Sequence, residues 1–301
     1  MRLGGEPESS NFEDRTGQSG GGFGLGGGGF GGGGLGCLIP LIASRFGIGG
    51  VVVLVIGYFI LTSLGGLNSG GGGGQAPVSQ QAAQSGQSNL DPTIKHFSLQ
   101  VLASTEDVWT ALLSKKGVQY TPTRLEFYSG SYGSGCGAAQ SAMGPFYCPT
   151  DKKIYLDTEF FNELAQRFQA PGDFAMAYVI AHEVGHHVQD LTGTLGKAEQ
   201  LQAHESETQG NATQVKIELQ ADCYAGVWAA NAKNPQGQSV MEPGDFEEGM
   251  RAAEAIGDDT LQKQTQGRVV PDSFTHGSSA QRMNALRTGF QAGDPDACKS
   301  L

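Results

Sequence analysis

From Asp173 to Leu191 the chain reads Asp-Phe-Ala-Met-Ala-Tyr-Val-Ile-Ala-His-Glu-Val-Gly-His-His-Val-Gln-Asp-Leu. This is an apolar run that becomes polar at one-turn spacing, and it predicts a buried helix ended by Gly193 and Gly196. A second helix is predicted over about residues 212–232, where Glu218 and Asp222 share one face. Ahead of both, Leu125–Tyr128, Phe146–Cys148 and Lys153–Asp157 read as short strands, the last two separated by the turn signal Pro149-Thr-Asp-Lys152. Further helices are expected at Ser104–Lys116, Thr158–Phe168, Asp245–Ile256, Asp258–Gln264 and Ser279–Gln291. The pattern is that of an α+β domain, mainly helical with a small sheet.

The first ninety residues follow none of these periods. Residues 1–45 read as a disordered Gly-rich tail, because a short charged head followed by the Gly20–Gly36 run buries too little apolar area to offset backbone entropy. Residues 46–64 carry no charge and are long enough for one transmembrane helix, roughly 28 Å at helical rise. Arg45 flanks this stretch on its N-terminal side and no charge follows until Asp91, which predicts an N-terminus inside and the remainder outside. Residues 65–90, rich in Gly, Ser, Gln and Ala, read as a flexible linker, leaving 91–301 as the folded domain.

Charge and cysteine content narrow the partners and the compartment. A net charge of −11 without a basic stripe argues against nucleic acid. Beyond the apolar stretch lie Cys136, Cys148, Cys223 and Cys298, an even number suited to an oxidising compartment. Four cysteines allow three pairings; Cys136–Cys148 with Cys223–Cys298 is favoured, because the first pair flanks an expected hairpin. A zinc knuckle is disfavoured because no CxxC pair is present.

The candidate chemistry sits on the two central helices. His182 and His186 are one turn apart in an HExxH pattern, so both imidazoles can face one divalent ion, with Glu183 beside them as general base. A third protein ligand leaves one position for water, and Glu218 is the candidate. Asp222, one turn further, can accept a hydrogen bond from a ligand imidazole.

Residues 172–189, Glu218–Trp228 and Asp272–Arg282 closely resemble the bacterial family of putative neutral zinc metallopeptidases, as do Gly144–Pro149, Ile154–Asp157 and Asn11–Arg15. More distantly, HExxH, ExxxD and a later Thr-His followed by an arginine look like the membrane gluzincins that include the CAAX prenyl proteases. The resemblance implies a zincin-like α+β fold, a Zn2+ cofactor and a peptide or protein substrate. It also implies that His276 is the donor to the developing oxyanion, while Arg282 either matches the later arginine or anchors the last helix to a carboxylate. It further implies an extended peptide along the edge of the small sheet, for which Ile154–Asp157 is the expected strand.

The reading is therefore a membrane-anchored zinc metalloendopeptidase of the bacterial cytoplasmic membrane, single-pass, with its domain periplasmic or extracellular. Two alternatives remain open at this level. One is a non-catalytic, zinc-stabilised extracytoplasmic binding domain, and the other a zinc hydrolase of a non-peptide amide.

Overall fold

The computed structural model describes residues 1–17, 88–140 and 144–299. In chain order its elements are β1 (Phe12–Asp14), α1 (Pro92–Ser114), β2 (Arg124–Tyr128), β3 (Ser131–Ser134), β4 (Gly137–Gln140), β5 (Phe146–Cys148) and β6 (Lys153–Asp157). Helices α2 (Glu159–Gln166), α3 (Asp173–Leu191), α4 (Thr194–Gln202), α5 (Glu207–Asn231), α6 (Asp245–Ala255), α7 (Asp258–Gln266) and α8 (Ser279–Ala292) follow. The fold is α+β, mainly helical, with a four-stranded sheet in the order β1-β2-β6-β5 and a separate β3–β4 hairpin. Strands β1, β2 and β6 run parallel, while β5 is antiparallel to β6 at one end of the sheet.

Local chemistry accounts for most element boundaries. Asp91 caps α1 by accepting from the Thr93 and Ile94 amides at 2.7 and 3.3 Å, and Pro92 occupies the first turn. This start is well before Ser104, where the apolar period becomes readable. Gln100, Ser104 and Thr105 are buried polar residues that interrupt the period, and each finds a hydrogen-bond partner inside. Helix α5 opens on a capping box between Ser206 and Gln209. It therefore begins before residue 212, where the sequence pattern predicted it, and is preceded by α4, which ends at Gln202.

The core lies between α1, α3, α5 and the inner face of the sheet. Phe174 and Trp228 stack in it with ring centroids 6.1 Å apart, and Trp109, Leu102 and Phe127 are fully buried nearby. Glycines set the closest helix approaches. A Cβ at Gly185 would stand 3.0 Å from the Ala221 carbonyl oxygen, so the backbones of α3 and α5 meet there. At Gly289 it would stand 1.8 Å from the Cys223 carbonyl oxygen, which seats α8 on α5. Disulfides join Cys136 to Cys148 and Cys223 to Cys298, the second fastening the C-terminal segment to α5.

The N-terminal head corrects the expectation of disorder through residue 45. Residues 1–17 are part of the domain: Leu3 is buried, Ser9 N donates to Leu99 O at 3.0 Å, and β1 pairs with β2. Such a strand is invisible to composition because its stability comes from a partner far along the chain. Residues 88–90, expected in the linker, also belong to the domain, with Leu90 buried. The span read over residues 46–64 lies outside the described residues; among those described, no helix is long and apolar enough to cross a membrane.

The strand expected to receive a peptide is also corrected. Residues 154–157 lie in β6, which pairs with β2 along its whole length and with β5 at Lys153–Tyr155, so β5 already covers the first half of the expected strand.

Candidate metal centre

Helix α3 carries an apolar face inward from Phe174 to Ala181, and this takes His182 and Glu183 into the interior, at 7 % and 6 % exposure. The helix starts at Gly172, where the Glu248 carboxylate accepts from the Phe174 amide at 3.1 Å and Asp173 sits in the first turn. Across the Gly185–Ala221 contact, α5 turns Glu218 toward the histidines. His182 Nε2 and His186 Nε2 are 3.2 Å apart, and Glu218 Oε2 lies 3.2 and 3.5 Å from them.

The other ring nitrogens are already engaged. His182 Nδ1 donates to Asp222 Oδ1 at 2.7 Å, and His186 Nδ1 donates to Gln189 Oε1 at 2.9 Å. Gln189 is itself fixed by donating to Ile217 O and Gln220 Oε1, so its oxygen is the end facing His186. With both Nδ1 atoms carrying protons, both Nε2 atoms are lone pairs, and they converge with a carboxylate oxygen. Three acceptors at this spacing require a positive charge among them. His182, His186 and Glu218 therefore fit a divalent cation.

Electrostatics describe the same demand. Burial lowers the His182 pKa, yet Asp222, Glu218 and Glu183 outweigh it and raise it to about 10. Burial raises the Glu218 carboxyl, but the two imidazoles hold it well below the usual range.

Asp222 is fully buried and accepts from four groups. Arg282 grips it with Nε on Oδ2 and a terminal nitrogen on Oδ1, both at 2.9 Å, while the Tyr178 hydroxyl donates to Oδ1 at 2.6 Å. Burial would push Asp222 up, but Arg282 and His182 hold it down, so it stays anionic as an acceptor for His182. Arg282 thus does anchor the last helix to a carboxylate, and that carboxylate orients a histidine of the centre.

His276 lies in the loop before α8, its side chain half-exposed. Asp258 Oδ2 accepts from the Thr275, His276 and Gly277 amides at 2.7, 2.7 and 3.0 Å, and Oδ1 lies 3.3 Å from His276 Nδ1. Partial burial lowers the His276 pKa, but Asp258 and Glu218 raise it overall. Glu183 is different again: the residue is largely buried, but its carboxylate takes no protein hydrogen bond among the described residues and its oxygens reach solvent.

The remaining histidines stand apart. His187 braces β5 against α3, with Nε2 donating to Thr121 O at 2.6 Å and Nδ1 3.0 Å from the Tyr147 hydroxyl. His204 is exposed beyond α4, and His96 pairs with Glu8 at the surface. Several members of the site were not singled out from the sequence. Tyr178 and Gln189 lie on the histidine face of α3, at −4 and +3 from the ligands, and Gln214 precedes Glu218 by one turn, donating to its Oε1 at 2.9 Å. Helical spacing could have found these three. Asp258 carried no such signal.

A helix bearing HExxH, a glutamate from a second helix and a braced carboxylate behind the first histidine form a candidate zinc site of the kind metallopeptidases use. The comparison with known families gives the particular one. The chain belongs to the family described as putative neutral zinc metallopeptidase, whose profile matches residues 1–301. An Escherichia coli K12 protein, "Uncharacterized protein YpfJ", is 47% identical over 301 residues, covering 100% of this chain and 99% of the relative. The Mycobacterium bovis "Uncharacterized protein Mb2605" is 46% identical over 207 residues, covering 66% of this chain and 67% of that protein. No solved structure gives a significant match. Family membership implies Zn2+, and the acceptor cluster of His182, His186 and Glu218 suits it.

Proposed function

We propose that the protein is a zinc-dependent endopeptidase in which His182, His186 and Glu218 hold the ion, Glu183 is the general base and His276 supports the oxyanion. The observation that carries this reading is Glu183, placed between the two histidines on α3, whose carboxylate oxygens take no protein hydrogen bond among the described residues and reach solvent. When bound, zinc lowers the pKa of a water toward neutrality and polarises the substrate carbonyl. Glu183 then accepts the proton of the attacking water and returns it to the leaving amine. His276, with its Nδ1 facing Asp258, donates from Nε2 to the oxygen of the scissile carbonyl as charge develops there. Asp222 keeps His182 in the tautomer that presents Nε2, and Gln189 does the same for His186.

An extended substrate has β5 as its available strand, because this terminal strand packs beside α3 through the Tyr147 hydroxyl, which donates to Asp190 at 2.8 Å. The two disulfides support an oxidising, extracytoplasmic setting for the domain, and residues 46–64 support contact with a bilayer.

The test is zinc content with cleavage of casein and mixed peptides, comparing the wild-type chain with Glu183→Gln. Equal zinc in both, with turnover at least about a hundredfold lower in the variant, is the expected result. Zinc in both and cleavage by neither would favour a non-catalytic domain or a non-peptide amide as substrate.

A further inference from the structure

Each residue of the acceptor cluster has an outer partner, and the partner of Glu218 differs in kind from the other two. Asp222 and Gln189 accept from the Nδ1 atoms of His182 and His186, so they choose a tautomer. Gln214 instead donates, from Nε2 to Glu218 Oε1 at 2.9 Å, across one turn of α5. The other oxygen, Oε2, is the one that lies 3.2 and 3.5 Å from the two imidazole Nε2 atoms. One carboxylate oxygen thus faces the histidines, and the other faces an N–H donor.

The direction of that donor is fixed from outside the cluster. Gln202, the last residue of α4, donates from Nε2 to Gly210 O and to Gln214 Oε1, both at 3.1 Å. A backbone carbonyl only accepts, so the Gly210 oxygen determines which end of the Gln202 amide turns toward α5. Gln202 then presents an N–H to Gln214 Oε1, which leaves the NH2 end of Gln214 for Glu218. Both glutamines are half-buried, whereas Glu218 is buried. The orientation of a buried carboxylate is therefore set by a relay of two amides that begins on a neighbouring helix.

A carboxylate binds a divalent ion through one oxygen or through both. Beside two imidazoles, one oxygen makes a set of three protein ligands and leaves a position for water, whereas two oxygens take that position as well. The N–H of Gln214 opposes the second mode, because Oε1 would have to give up a hydrogen bond made to a charged group in the interior. We propose that Gln214 is a positioning residue that holds Glu218 to one metal-binding oxygen, Oε2, with Gln202 orienting the Gln214 amide from α4. The proposal rests on the zinc reading of His182, His186 and Glu218, and adds to it what keeps a position open for water.

The experiment loads the full chain with Co2+ in place of Zn2+ and compares the wild type with Gln214→Leu and Gln202→Leu. Leucine is close to glutamine in size and in helix propensity, and urea unfolding of the metal-free chains identifies any variant that folds poorly. If Gln214→Leu does, Gln202→Leu carries the comparison. The visible bands of the cobalt form are expected to weaken in Gln214→Leu, as the ion gains a second carboxylate oxygen, and to weaken less in Gln202→Leu. Azide, a small anion that competes for the water position, should bind the Gln214→Leu cobalt form about tenfold more weakly than the wild type. Equal spectra and equal azide affinity in all three chains overturn the proposal, even if zinc affinity changes, because Gln214 would then not govern how Glu218 presents its oxygens. A wild-type chain that takes up neither metal removes the zinc reading, and the proposal with it. Neither readout depends on peptide turnover.

Discussion

His182 Nδ1 and Asp222 Oδ1 meet at 2.7 Å in the interior, and this one hydrogen bond joins the helix that bears HExxH to the helix that bears Glu218. Because Arg282 and Tyr178 hold the same carboxylate, three residues from three helices fix the orientation of a single imidazole.

Removing that carboxylate should be felt twice. Asp222→Ala leaves Arg282 buried without its counter-ion, a loss of about 3–5 kcal/mol, and frees the His182 ring, for about 10- to 100-fold weaker zinc binding. Urea unfolding and chelator competition measure the two effects separately. Unchanged zinc affinity would show that His182 needs no carboxylate to orient it.

Helix approach at the site rests on Gly185. Gly185→Ala sets a methyl group 3.0 Å from the Ala221 carbonyl oxygen, and Ala221 lies between Glu218 and Asp222. About 1–3 kcal/mol of stability should be lost, with weaker zinc binding as Glu218 is pushed away. Gly196→Ala meets nothing within 4 Å in α4 and should stay within about 0.5 kcal/mol or gain slightly from helix propensity.

Zinc binding should release a proton. The His182 pKa in the metal-free site is raised to about 10, so at neutral pH the ion displaces about one proton. Calorimetry in two buffers of different ionisation enthalpy counts it. Affinity should fall about tenfold for each pH unit below neutrality, and a pH-independent affinity would contradict the acceptor cluster described above.

Asp258 offers a separate handle on catalysis. Asp258→Asn weakens the acceptor for three backbone amides and for His276, so turnover should drop about 10- to 100-fold while zinc content stays the same. A change in zinc content instead would mean that the loop supports the metal ligands.

The head should loosen in acid. Hydrogen bonds from Arg124 and Arg15 lower the Glu13 pKa from 4.5 to about 2. A depressed carboxyl contributes stability that is complete above its unfolded value and is lost as the pH falls through the folded one. Protection factors of the β1 amides, corrected for the intrinsic pH dependence of exchange, should therefore fall between pH 4.5 and 2 in the wild type and much less in Glu13→Gln, while those of α3 are unaffected by the substitution.

The sequence alone determined which residues share a helix face. A period of 3.6 puts His182 with His186, and Glu218 with Asp222, whatever surrounds them, and the same arithmetic extends to Tyr178, Gln189 and Gln214. The strands at Leu125–Tyr128, Phe146–Cys148 and Lys153–Asp157 were legible for the same reason, since alternation and turn residues act over a few positions. Only the tertiary structure decided what faces what across long separations. Arg282 reaches Asp222 because Gly226 and Gly289 let α8 close on α5; β5 folded back over Lys153–Tyr155 of β6; and residues 1–17 joined the domain through pairing with β2. Each of these depends on a surface contributed by a distant segment, and a local pattern carries no record of the surface it will meet.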